Sequence, residues 1–202
     1  MSEHWNEVYE SRGVDQRNWS EPEPTTSLEL LDVLGVTPGD SLIDIGAGES
    51  TLADQLLARG FSDLSILDVS STALAATRER AGHEKVMTVL ADVTTWRPSR
   101  DFDVWHDRAV LHFLSPPDAQ RYARALRGAL SAHGSVIIGV FSPDGPETCS
   151  GLPVTRCGAD ELAELLGPGF RRVDERRVLH LTPWGGEQSF QWLAARREDR
   201  AS

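Results

Sequence analysis

Asp44, Gly46, Gly48 and Asp68 are the residues of this chain whose types and spacing point most directly to chemistry. The apolar run Ser41-Leu42-Ile43-Asp44-Ile45 leads into the turn Gly46-Ala47-Gly48, and a second run, Leu64-Ser65-Ile66-Leu67, ends at Asp68. Glycines after a strand let the backbone approach a ligand that any side chain would push away. An acidic strand end about 20 residues further on can take two vicinal hydroxyls through its two oxygens. Together they form a nucleoside-binding device.

A third strand end, Ala91-Asp92-Val93, and a fourth, Trp105-His106-Asp107-Arg108, follow in order. The turn continues Glu49-Ser50, so the third glycine of a nicotinamide fingerprint is missing, and Glu49 would set a negative charge against a pyrophosphate at the helix N-terminus. A dehydrogenase is disfavoured. His106, His112 and His180 titrate near neutrality in the unperturbed state and are the candidate general bases, although each also fits a structural histidine.

The elements that must position these groups alternate in type. Thr26-Ser27-Leu28-Glu29 has the form of a capping box, and Leu28, Leu31 and Leu34 recur on one helical face until Gly35. Pro38-Gly39-Asp40 turns into a strand over 41–45, and Leu52, Ala53, Leu56 and Leu57 predict a helix stopped by Gly60. A strand over 64–67, a helix from the Ser70 cap to Ala81 with Gly82 behind it, and a strand over 86–90 come next. Short strand 103–105, helix 117–130 and the very apolar strand 135–141 complete a doubly wound α/β pattern, in which near-continuous apolar strands imply a parallel sheet covered on both faces. After a helix over 160–166, the extended runs 171–181 and 189–196 are joined by Thr182-Pro183-Trp184-Gly185-Gly186, a link too short for anything but an antiparallel pair. The loop from Ser142 to Thr155, rich in Pro and Gly, is long enough to be a lid or substrate loop.

Bulk properties narrow the partners. At 202 residues the chain suits one domain. Its net charge of −11 would repel a phosphate backbone, and Arg121, Arg124 and Arg127 read as a solvated helix face, so no nucleic-acid partner is expected. No apolar run approaches a membrane span and no apolar leader stands at the N-terminus, so a soluble, cytoplasmic protein is expected. Cys149 and Cys157 lack the matching histidines of a zinc site, and no metal is expected.

Ile43-Asp44-Ile45-Gly46-Ala47-Gly48, Asp68 and Ala91-Asp92-Val93 together resemble the successive signatures of class I S-adenosylmethionine-dependent methyltransferases. The resemblance implies a Rossmann-like, seven-stranded, mostly parallel sheet with an antiparallel C-terminal hairpin and helices on both faces. It implies S-adenosylmethionine as cofactor and S-adenosylhomocysteine as product. Asp68 would then hold the ribose, Asp92 the adenine amino group and Asp44 the ammonium, with Gly46, Ala47, Gly48, Val69, Val93, His106 and Asp107 completing the cofactor set. Asp44 and Asp107 also fit plain turn residues. Residues 1–26 would act as a lid, 27–141 as the cofactor-binding core and 142–202 as substrate loop and hairpin. Trp5, Tyr9, Trp19, His180, Trp184 and Gln188 would line the acceptor site.

Two segments, 145–153 and 180–190, resemble small bacterial methyltransferases related to the citrate synthase lysine methyltransferase. The acceptor expected first is a small molecule, with a protein lysine as the alternative and a catalytically silent cofactor-binding module as the third reading. The strand-four exit lacks the Asn/Asp-Pro-Pro-aromatic signature of nucleic-acid methyltransferases.

Overall fold

The computed structural model describes residues 2–11, 17, 19–82 and 84–198. Seven strands form one sheet: β1 (Leu42–Ile45), β2 (Leu64–Asp68), β3 (Met87–Leu90), β4 (Phe102–Arg108), β5 (Leu130–Phe141), β8 (Phe170–Leu181) and β9 (Glu187–Arg197). Their order is β3-β2-β1-β4-β5-β9-β8. The first five are parallel, and β9 lies antiparallel to both β5 and β8. The chain therefore reverses winding between β1 and β4, and in such sheets ligands bind outside the carboxyl ends of the strands at that crevice.

Helices α2 (Thr25–Val33), α3 (Leu52–Ala58) and α4 (Ser71–Ala81) cover one face, where Leu28, Leu31, Leu56 and Leu74 pack with Leu42, Ile66 and Trp192. Helices α5 (Pro116–Ala129) and α6 (Ala159–Leu166) cover the other, where Tyr122, Leu126 and Leu162 meet Ile43, Trp105 and Ile138. Trp105 is fully buried, and its indole N–H donates to the Tyr122 hydroxyl at 2.8 Å, so the large ring carries no unpaired polar atom into the core. Helix α1 (Ser2–Ser11) precedes the sheet and meets the start of α4 through Ser70–Asn6 and Thr72–Glu10 hydrogen bonds.

Several boundaries follow the local chemistry read from sequence. Ser70 caps α4 by accepting from the Ala73 N–H, and Gly82, at φ +98°, ends it. Ser115 caps α5 with Pro116 as its first residue. The capping box at Thr26 does not form: α2 starts at Thr25 behind Pro24, so Thr26 already lies inside the helix and no side chain caps it, while Ser27 points inward to His106. Strand β4 is longer than 103–105, running on through His106 and Asp107, whose polar side chains break the apolar pattern but are buried with partners. The loop after β5 carries a small hairpin of its own, β6 (Thr148–Cys149) and β7 (Leu152–Pro153). Arg127 is not purely a solvated-face residue, since its guanidinium donates to the Leu165 and Leu166 carbonyls at the end of α6. Among the described residues no helix is long and apolar enough to cross a membrane.

Candidate active site

Where β1 ends, the backbone makes its tightest demand on side-chain size. Gly46 and Gly48 have φ of +63° and +53°, in the left-handed region that costs other residues about 1–2 kcal/mol. A Cβ on Gly46 would lie 1.9 Å from Val110 Cγ2, and one on Gly48 would lie 2.2 Å from the Tyr9 hydroxyl. Both conformation and space require glycine here. The turn is tied to the end of β2, with Gly46 N–H donating to Leu67 O at 2.6 Å and Gly48 N–H donating to Asp68 Oδ2 at 2.9 Å.

Asp68 also accepts from Ser70 N–H through Oδ1 at 2.8 Å. Burial raises the pKa of its carboxyl, opposed by hydrogen bonds from Ser70, Gly48 and Val69. With three of its four lone-pair sites taken by backbone donors, the carboxylate keeps one for a hydroxyl donor. Asp92 is exposed and accepts from the Thr94 N–H and hydroxyl.

A cavity runs across these strand ends, lined by Gly46, Asp68, Val69, Asp92 and Val93 on one side and by Trp5, Tyr9, Trp19, Phe113 and Cys149 on the other. A second lobe, sharing Tyr9, Trp19, Gly46 and Arg108, extends along Asp44, Ala47, Glu49 and His106. The glycine cradle with a buried carboxylate at its edge and an acidic residue beyond it fits an adenosine-type cofactor, with room along Asp44 for an amino-acid tail.

Three aromatic residues of the N-terminal segment, Trp5, Tyr9 and Trp19, line the cavity. Trp5, Tyr9 and Trp19 have ring centroids 6.1–6.3 Å apart, and Trp5 meets Phe113 edge-on at 5.2 Å. Arg17 is buried, stacks over Tyr9 with its guanidinium carbon 4.7 Å from the ring centroid, and pairs with Glu49 at 2.8 Å. Glu49 is thus paired with Arg17 of the N-terminal segment, so the charge argument drawn from it in isolation loses force. Burial drives the Tyr9 phenol well above its usual range, leaving it a protonated donor.

The three candidate bases sit differently from one another. His106 lines the second lobe, but both its ring nitrogens are engaged, Nδ1 with Asp44 Oδ1 at 2.7 Å and Nε2 with Ser27 Oγ at 2.8 Å. Burial, aided by nearby Arg108, holds His112 neutral, pushed down to about 3. His180 pairs with Glu21 at 3.3 Å. For Glu21, burial is outweighed by the hydrogen bond from His180 and the charge of Arg108, and its pKa falls.

Asp107 is not at the cavity: it is fully buried and accepts from the Val110 and Leu111 N–H groups, the work of a turn cap, and burial pushes it up to about 6. Trp184 stands 64% exposed at the tip of the β8–β9 hairpin, away from the cavity lining, and Gln188 is buried without lining it. Arg108, Phe113, Cys149 and Arg17 line the site although sequence reasoning gave them no role there. The signal for Arg108 lay in its place after His106-Asp107 at a strand exit.

Residues 42–134 match the family model described as a methyltransferase domain. Among curated proteins, the chain is 26% identical over 141 residues to the eEF1A lysine and N-terminal methyltransferase of Mus musculus, covering 67% of this chain and 20% of that protein. It is 28% identical over 140 residues to a trans-aconitate 2-methyltransferase of Methylobacterium radiotolerans, of which it spans half, and 27% identical over 191 residues to that of Yersinia pestis, of which it spans 71%. The first two of these relatives are therefore much longer than the matched part. Among solved structures, the Burkholderia thailandensis 1,6-didemethyltoxoflavin-N1-methyltransferase with bound S-adenosylhomocysteine superposes with TM-score 0.72 at 24% identity, covering 98% of this chain and 84% of that one. A protein from a study of thioacetal formation in echinomycin biosynthesis gives TM-score 0.77 at 21% identity, covering 100% and 94%; at these identities both likenesses speak for the fold. The nucleoside cleft at the carboxyl ends of β1 and β2 thus coincides with the match to a methyltransferase domain over the same strands, on the mostly parallel, Rossmann-like sheet that solved S-adenosylmethionine-dependent methyltransferases share.

Proposed function

We propose that the chain is a class I S-adenosylmethionine-dependent methyltransferase that moves the methyl group to a small-molecule acceptor. The observation that carries this reading is the closed aromatic wall of Trp5, Tyr9, Trp19 and Phe113 at the far side of the cavity, whose rings touch one another. A wall of this kind suits an acceptor that is enclosed whole. The trans-aconitate 2-methyltransferases among the relatives fit the same direction. A cytoplasmic setting belongs to this reading, in keeping with two free cysteines.

When bound, S-adenosylmethionine supplies an electrophilic methyl carbon on a sulfonium and leaves as S-adenosylhomocysteine. In this reading Asp68 accepts from the ribose hydroxyls, Asp92 from the adenine amino group, and Asp44, fixed by His106, holds the ammonium. Ala47, Val69 and Val93 form walls. The chain contributes placement and exclusion of water, for which well-oriented reactions gain about 7–11 kcal/mol. No dedicated base is required: His106 is bonded at both nitrogens, and His112 is neutral but already uses Nδ1 as an acceptor for the Phe141 N–H.

A protein lysine acceptor is the second reading, favoured by the eEF1A lysine and N-terminal methyltransferase among the relatives. Transfer of labelled methyl from S-adenosylmethionine to lysate fractions split by size separates the two. Label in the small fraction is expected. Label confined to protein would replace the first reading with the second, and cofactor binding without any transfer would favour a silent module.

A further inference from the structure

We propose that the acceptor is a neutral, flat heteroaromatic compound whose ring nitrogen attacks the methyl carbon with a lone pair it already carries. The inference rests on the small-molecule reading above and names its substrate class.

Trp5, Trp19, Phe113, Leu114 and Cys149 make up the aromatic side of the cavity. Trp5 lies 6.1 Å from Trp19 and 5.2 Å from Phe113, with ring planes 84° and 73° apart, an edge-to-face packing on which a further flat ring can be laid. Among the described residues lining the two lobes, the arginines are Arg17 and Arg108. Both are already paired. Arg17 meets Glu49 at 2.8 Å, while Arg108 meets Glu21 at 2.8 Å through Nη2 and donates to Trp19 O at 2.8 Å through Nη1. The other carboxylates there, Asp44, Asp68 and Asp92, hold the cofactor in this reading. An anionic acceptor would therefore leave water with no unpaired cation to receive it, and a buried charge is tolerated only when it is paired.

A protonated amine is excluded on other grounds. An ammonium has no lone pair to attack with, so an amine acceptor needs a group that removes its proton. His106 is engaged at both ring nitrogens, and His112 and His180 line neither lobe. Burial raises both the Cys149 thiol and the Tyr9 phenol, so each keeps its proton and neither serves as a base. Alcohols and phenols meet the same obstacle. A pyridine-type ring nitrogen avoids both: it is neutral, fits the wall of rings and has no proton to lose. Its lone pair forms the new N–C bond as the S–C bond breaks with its electrons returning to sulfur, and the positive charge passes from the sulfonium to the ring.

The test uses the full-length enzyme saturated with S-adenosylhomocysteine, titrated calorimetrically with quinoline against two anions, quinoline-6-carboxylate and trans-aconitate. We expect quinoline to bind about tenfold more tightly than either anion. Glu21→Gln takes the counter-charge from Arg108 and should tighten quinoline-6-carboxylate about tenfold while leaving quinoline nearly unchanged. Thermal unfolding checks that the variant folds; if it does not, the ranking in the unaltered enzyme decides. With labelled S-adenosylmethionine, methyl should pass to at least one of quinoline, isoquinoline and 1-methylbenzimidazole, at a rate level between about pH 7 and 9 because no proton has to leave. An anion that binds as tightly as quinoline, no binding of quinoline, label on none of the three rings, or a rate that climbs about tenfold across that pH range would overturn the proposal. Two other results are distinct from these: label confined to protein in a lysate would strike the small-molecule reading, and failure to bind S-adenosylhomocysteine would count against the methyltransferase reading itself.

Discussion

His106 and Asp44 face each other across adjacent parallel strands, in register, with Nδ1 2.7 Å from Oδ1. Ser27 of α2 holds the other ring nitrogen at 2.8 Å, so helix, fourth strand and first strand are joined through one buried imidazole. The carboxylate that opens toward the second lobe is thereby fixed in direction. His106→Phe removes a hydrogen bond to a charged group, worth about 1.5–3 kcal/mol, and should lower urea-unfolding stability by that amount. Calorimetry should show weaker S-adenosylhomocysteine binding in the same variant, while Ser27→Ala should cost only about 1 kcal/mol of stability.

Asp68→Ala removes the acceptor for ribose hydroxyls and for two backbone N–H groups, Gly48 and Ser70. Affinity for S-adenosylhomocysteine should fall at least about tenfold. Because burial raises this carboxyl, binding by the unaltered enzyme should begin to weaken, as pH drops, at a higher pH than an ordinary aspartate would dictate.

Gly48→Ala places a methyl group against the Tyr9 hydroxyl at 2.2 Å on a backbone of φ +53°. Combining it with Tyr9→Ala removes the collision but not the backbone strain. A double-mutant cycle on cofactor affinity should therefore show partial recovery, leaving about 1–2 kcal/mol unrecovered. Full recovery would show that the turn tolerates a side chain.

The carboxyl of Asp107 rises from 3.8 to about 6 through burial. A raised carboxyl stabilises the fold fully below its unfolded value and loses that contribution as pH climbs through the folded one. The loss between pH 4 and 7 is at most ~3 kcal/mol. Urea unfolding across that range should show Asp107→Asn, which cannot ionise, improving relative to the unaltered protein as pH rises. A gap between the two that stays constant with pH would refute this.

Ala109 holds φ +74° just after β4, where its N–H donates to Gly139 O at 2.8 Å. Ala109→Gly should relieve the strain and stabilise the protein by about 0.5–1 kcal/mol in thermal unfolding.

The parallel half of the sheet was legible because each element carries its own signal: Gly46 and Gly48 at a turn, Ser70 at a cap, and the apolar run of β5. The site was legible where one residue type has one geometric use, as with Asp68, which lies at the cavity beside the glycine turn. Asp107 misled because a strand-end aspartate looks the same whether it faces a ligand or caps the following turn, and only its direction decides. The hairpin residues His180, Trp184 and Gln188 share a segment, but His180 and Gln188, cross-strand partners on one buried face, line neither lobe of the cavity, and Trp184 lies exposed on the tip beyond them. The second likeness drawn from that segment thus leaned partly on residues remote from the cavity. Arg17 and Glu49 meet across 32 positions of sequence, which no local pattern announces.

The place of β9 has a consequence for how the chain is made. It follows every other strand of the sheet in sequence, yet it lies between β5 and β8, pairing with Phe141 through its Phe190 and with Phe170 through its Arg197. During synthesis the hydrogen-bonding edge of β5, one of the most apolar strands, stays open until these residues leave the ribosome. The emerging chain is then exposed to wrong edge pairing and depends on rapid capture of its final hairpin.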